Sequence, residues 1–157
     1  MKALDIVNNK LIFGGGGCNL NINNNINKDY EITSMLGMFS NCSSLEELKI
    51  ALDLSMFITP LLENMSLMFY GCASLKKINL SNVTFDNEVD IGGIFLGCKA
   101  LEEIDIRKAD FSNAKYPTTG YAPFLNVPNN IKIIVKDDTI KSWFNTNFSN
   151  FTNIVVN

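Results

Sequence analysis

Hydrophobic and polar positions along this chain follow a long-range pattern before any local one. The stretch "MFSNCSSLEELKI" at 38–50 recurs as "MFYGCASLKKINL" at 68–80 and as "IFLGCKALEEIDI" at 94–106. In each copy an aromatic is followed by Cys at +3, Leu at +6 and apolar residues at +9 and +11. The columns read Phe39, Phe69, Phe95; Cys42, Cys72, Cys98; and Leu45, Leu75, Leu101. Leu48, Ile78, Ile104 and then Ile50, Leu80, Ile106 complete them, and Met35, Met65 and Ile91 stand four residues before each aromatic. An eroded fourth copy has Phe124 as its aromatic, Val127 in the cysteine column and Ile133 and Val135 in the last two. Asn130 stands where leucine is expected. The aromatics are 30, 26 and 29 residues apart, so the repeat tolerates insertions.

The period predicts the elements. Apolar residues at +9 and +11 alternate with polar ones at +8 and +10, the pattern of a strand with one buried face. From the aromatic to +6 the spacing suits a single helical turn. A strand and a short helical turn in every 26 to 30 residues define an α/β repeat solenoid of the leucine-rich class. No single unit buries its own apolar edge, so units must stack, with neighbouring strands parallel and about 4.8 Å apart. The charges agree with that stacking: Glu47, Lys77, Glu103 and Lys132 share the +8 column and alternate in sign. Opposite charges on adjacent strands favour this register over a slipped one.

The ends read differently. "LDIVNNKLIF" at 4–13 predicts a hairpin of two short strands around Asn8-Asn9, since asparagine tolerates the left-handed turn. Gly14 to Gly17 lack the Lys-Ser/Thr of a phosphate-binding loop and read as a connector, with a further strand starting at Cys18-Asn19-Leu20. Asp137 or Asp138 can cap a helix whose Ile140, Trp143 and Phe144 share one face. That face would close the open end, and "NIVV" at 153–156 would add a strand. The expected organisation is therefore a hairpin and connector at 1–17, a solenoid of four to five rungs at 18–136, and a helix-plus-strand cap at 137–157.

These repeats resemble the BspA-type leucine-rich repeats of bacterial surface proteins. The resemblance rests on the aromatic-x-x-Cys-x-x-Leu-x-x-Leu/Ile-x-Leu/Ile pattern and on "LDLSMF" at 52–57 and "INLSNVTF" at 78–85, which are similar to that family's Leu-Asp-Leu-Ser-Asn-Phe segment. "IKIIVKDDTIKSWF" at 131–144 resembles the strand and capping helix that close many such domains. What the resemblance implies is a non-enzymatic binding or adhesion module.

Composition narrows the chemistry. The 157 residues are 46% hydrophobic and 18% charged, a globular balance for one domain. A net charge of -3 and a single arginine, Arg107, argue against a nucleic-acid partner. The chain has no histidine, so Ser-His-Asp, Cys-His and His-ligated metal sites have no basis. Val127 in the cysteine column marks that column as small and apolar rather than nucleophilic, and zinc would need closely spaced cysteine pairs. Cys18 lies out of register. "DNEVDIGGIFLG" at 86–97 opens like a calcium loop with Asp86, Glu88 and Asp90, but its glycine comes one place late and Gly97 replaces the closing glutamate. No cofactor, metal or catalytic residue is expected. No export signal and no membrane span are visible, so the chain is expected to be cytoplasmic as synthesised, or on a virion or particle surface released by lysis.

The expected partner is a protein or surface glycan. The strand row at +10, Lys49, Asn79, Asp105 and Ile134, is the expected exposed contact surface. An alternative function is a structural or receptor-binding component of a phage tail or phage-derived particle. There Leu4, Ile6, Leu11 and Phe13 of the hairpin would dock on a neighbouring subunit.

Overall fold

A computed structural model describes residues 4–7, 10–13, 31–42, 47–48, 61–81, 83 and 88–157. It is an α/β arrangement dominated by parallel strands. β1 (Leu4–Val7) and β2 (Lys10–Phe13) form the antiparallel hairpin expected around Asn8-Asn9, with Leu4 opposite Phe13 and Ile6 opposite Leu11. β3 (Glu31–Ser34) joins β2 in parallel, with a register shift between Leu11 and Ile12. A second sheet runs β4 (Glu47–Leu48), β5 (Lys77–Asn79), β6 (Glu103–Asp105), β7 (Lys132–Val135), β8 (Ile154–Val156), all parallel.

Register in that sheet follows the sequence columns. Glu47, Lys77, Glu103 and Lys132 stand side by side, as do Leu48, Ile78, Ile104 and Ile133. Lys132 reaches Glu103 at 3.0 Å. A second ladder of single bridges links Ser34, Asn64, Asp90 and Lys115, again in parallel. The two ladders flank a core that includes Met35, Met65, Cys72, Leu75, Ile78 and Ile104. Phe39, Phe69 and Phe95 are buried in one column, stacked at 5.4 and 5.7 Å. Phe124 extends the column at 5.3 Å, and Phe144, Phe148 and Phe151 surround it.

The expected short helical turns take another form. In 35–42 the amides of Met38, Ser40 and Cys42 bond three residues back, while those of Gly37, Phe39 and Asn41 cross to Ser66, Met68 and Tyr70. The next two copies repeat the alternation through Leu67, Phe69, Gly71 and then through Phe95 and Gly97. These are chained β-turns, in which every second amide serves the neighbouring copy. The cause is a left-handed residue at each turn: Gly37 and Asn41, Leu67 and Gly71, Gly93 and Gly97 all have φ between 56° and 80°. A helix would keep every amide to itself and could not join its neighbours this way.

α1 (Asp138–Asn147) begins as expected. Asp137 caps it by accepting from the Ile140 amide at 3.0 Å. Ile140 and Phe144 are buried, and the half-buried Trp143 packs edge-on against Tyr116 and Phe144. Where leucine is missing at exposed Asn130, the adjacent Ile131 is buried instead.

Candidate functional site

Of the four strand residues expected to form an exposed contact row, Lys49 lies outside the described residues and Asn79 is exposed. Asp105 and Ile134 are buried, which corrects the expectation of a continuous exposed row. The reason differs at each. Arg107 folds back on Asp105 with contacts of 3.0 Å from Nε to Oδ1 and 2.7 Å from Nη2 to Oδ2. The same carboxylate raises the Arg107 pKa above its ordinary value through those hydrogen bonds and its charge. Ile134 is hemmed in between Asp105 on β6 and Val155 on β8.

The polar side chains of this row hold turns. Asn79 Oδ1 accepts from the Ser81 amide at 2.9 Å, and Asp105 Oδ1 accepts from the Arg107 amide at 3.3 Å. The other ladder uses the same device: Asn64 Oδ1 accepts from Ser66 and Asp90 Oδ1 from Gly92, each at 2.8 Å. In the stretch that opens like a calcium loop, Asp86 lies outside the described residues, Glu88 pairs with Lys115, and Asp90 is turned onto its own backbone. Among the described residues, no cluster of three or more metal-binding side chains is present.

The cysteine column has a role beyond filling space. Cys72 donates its thiol to the Phe39 carbonyl at 3.0 Å, and Cys98 donates to the Phe69 carbonyl at 3.1 Å. Each thiol thus ties its copy to the preceding one through a weak bond that valine lacks. Cys42, Cys72 and Cys98 are buried and in no disulfide. Burial, aided by the nearby Cys72, pushes the Cys98 pKa up to about 12, so the group stays a thiol at neutral pH. A void of about 10 Å³ among Ile91, Phe95, Ile104, Phe111, Phe124 and Trp143 is wholly apolar and too small for a ligand.

The surface with unspent contact capacity is the outward side of the chained turns, which sequence reasoning passed over. In "LGMFSN" at 36–41, "SLMFYG" at 66–71, "GGIFLG" at 92–97 and "YAPFLN" at 121–126 no residue is charged, although 18% of the chain is. Inward positions carry the Phe and Met columns. Outward positions hold Leu36 at 39% exposure, Tyr70 at 37%, Leu125 at 41% and Tyr121 at 58%, with Leu67 half-buried between them. Four of the five exposed large hydrophobic side chains found among the described residues, Val156 being the fifth, lie on this one edge. Reading these segments as helical turns hid this edge, because a helix distributes outward positions differently from chained turns.

No protein-family model, curated protein or solved structure matches the chain. Among the described residues no helix is long and apolar enough to cross a membrane.

Proposed function

We propose that the chain is a short leucine-rich-repeat solenoid of the BspA type, acting as a non-enzymatic binding or adhesion module for a protein or a surface glycan. The observation that carries this reading is the uncharged outward edge with its exposed Leu36, Tyr70, Tyr121 and Leu125. The polar groups that repeat along the strands are engaged with their own backbone, so they support the scaffold rather than a ligand. Exposed leucines gain free energy when covered, and tyrosine rings offer flat area to an apolar side chain or to the face of a sugar. Acidic balance and a lone arginine committed to Asp105 support a partner other than nucleic acid.

A glycan array and a panel of immobilised extracellular-matrix proteins test the reading, with the chain applied at about 1 μM, a concentration at which specific modules are commonly half-saturated. The expected result is saturable binding to at least one probe. Tyr70→Ala and Tyr121→Ala should each weaken it about tenfold or more, as removal of an aromatic anchor does. Lys77→Ala, on the charged sheet, should leave it unchanged. Absence of saturable binding, or tyrosine variants that bind as tightly as the parent, would overturn the assignment.

One feature favours a second reading, a component of a phage tail or phage-derived particle. β1 forms the outer edge of the three-stranded sheet, with β2 and β3 to one side of it. A strand edge that pairs with no other strand among the described residues suits attachment to a neighbouring subunit.

A further inference from the structure

We propose that Leu67 is the specificity-determining residue of the outward turn edge, where it selects a protein surface bearing apolar side chains over a glycan. This assignment rests on the binding reading above and narrows it to one class of partner. The backbone supplies the first reason. Leu67 stands two residues before Phe69, in the column that holds Gly37 and Gly93 in the copies on either side. Gly37, Leu67 and Gly93 share one left-handed conformation, at φ 60°, 56° and 59°. Glycine adopts it freely, whereas a leucine Cβ crowds the following carbonyl and costs stability. Glycine thus satisfies the turn in both neighbouring copies. A strained residue that the scaffold does not require points to a use outside the scaffold.

The place of the side chain is the second reason. Phe and Met columns fill the interior, but Leu67 stays half-buried on the edge. Its Cδ2 lies 2.9 Å from the point that a Cβ on Gly93 would occupy, and Leu96 Cβ lies 3.6 Å from the same point. Leu67 therefore extends over the third turn, into the space that glycine leaves open there. Within its own turn its carbonyl accepts from the amide of exposed Tyr70 at 3.1 Å. Leu67 and Tyr70 make an apolar centre for the edge, with Leu36 on the turn before and Tyr121 and Leu125 on the last.

Chemistry separates the two classes of partner. A sugar ring carries hydroxyl groups around its rim, and each needs a hydrogen bond when it leaves water. Leu67 offers none. Ser66 beside it donates its hydroxyl to Asn64 Oδ1 at 2.8 Å, and Asn41 on the first turn donates its side-chain amide to Ser40 Oγ at 3.3 Å. Apolar side chains of a protein need no such bond and gain free energy by covering Leu67 and Tyr70.

Leu67→Gly and Leu67→Asn test this, read by thermal unfolding and by binding to the immobilised matrix proteins and the glycan array. Both replacements suit the left-handed conformation, which Asn41 and Asn126 already adopt. Each variant should melt at or above the parent temperature and bind the matrix proteins about tenfold more weakly. Leu67→Met restores an apolar side chain and should bind as the parent does. Enzymatic removal of glycans from the immobilised proteins should leave parental binding unchanged. Variants that melt below the parent would make Leu67 a packing residue of the scaffold, and variants that bind as tightly as the parent would remove it from the contact. Either result overturns the proposal, as does a methionine variant that fails to bind. Binding confined to the glycan array, or lost with the glycans, also overturns it and leaves the wider binding reading standing. Absence of binding to every probe overturns that reading, and this assignment with it.

Discussion

Phe69 lies between Phe39 and Phe95, stacked on both within 10° of parallel and fully buried. Its truncation to alanine removes the ring that joins two copies, and no neighbour can close the gap without breaking the crossing amides on either side. Phe69→Ala should cost about 3–5 kcal/mol in urea unfolding, and a loss under about 1 kcal/mol would show that the column repacks around the vacancy. Cys98 gives a pH-dependent counterpart. Its thiol is raised from an ordinary value of 9.0 to about 12 in the folded chain. Between those values the unfolded chain has lost the proton and the folded one keeps it, so folding binds a proton there. Stability from this group is therefore complete below pH 9 and falls as pH rises toward 12. Melting temperatures across that range should decline less steeply in Cys98→Val than in the parent. Thiol labelling of Cys72 and Cys98 should be slow in the native state and complete after denaturation; rapid native labelling would contradict the burial of the column.

At the scale of elements, the register of the second sheet was legible because each strand column recurs along the sequence. The Glu47–Lys77–Glu103–Lys132 row could be read from spacing alone, and the register reproduces it. Asp137 was legible as a cap because a short polar side chain ahead of an apolar helix face has few other uses. The chained turns were not legible. Their signal is a left-handed residue four positions apart, and Leu67 occupies one such site at φ 56°, where a leucine gives no hint of the conformation. Nor was the structural use of Asn79 and Asp105, because an Asx turn and an exposed ligand contact demand the same residue types. That ambiguity has a test. Asn79→Ala removes the acceptor for the Ser81 amide and should lower stability by about 1 kcal/mol, while leaving binding to any glycan or protein probe unaltered. Weakened binding at unchanged stability would return Asn79 to the contact surface. Asp137→Ala should likewise cost about 1 kcal/mol by thermal unfolding, with no change in the β5–β6 pairing.

Across the whole molecule, the hairpin is the part whose role separates the two functional readings. β2 pairs with β3, and Ser34 at the end of β3 bridges Asn64, so β1 and β2 extend the same ladder that runs on through Asp90 to Lys115. The antiparallel β1 is a natural terminator for that ladder, since it reverses strand direction where a further parallel copy would otherwise be needed. Its sequence carries apolar residues at both alternating sets of positions, Leu4 and Ile6 in one and Val7 in the other. As a cap, the hairpin stabilises the ladder through the pairing of β2 with β3. Deleting residues 1–13 should then lower the melting temperature by roughly 5–10 °C, equivalent to a few kcal/mol for a domain of this size. Probe binding should persist in the truncated chain below its new melting temperature. The particle reading requires the reverse: an unchanged melting temperature, retained ligand binding, and failure to incorporate into the assembly from which the full chain is purified. A truncated chain that keeps its stability and loses only assembly would make the hairpin an anchor and the outward edge the presented end.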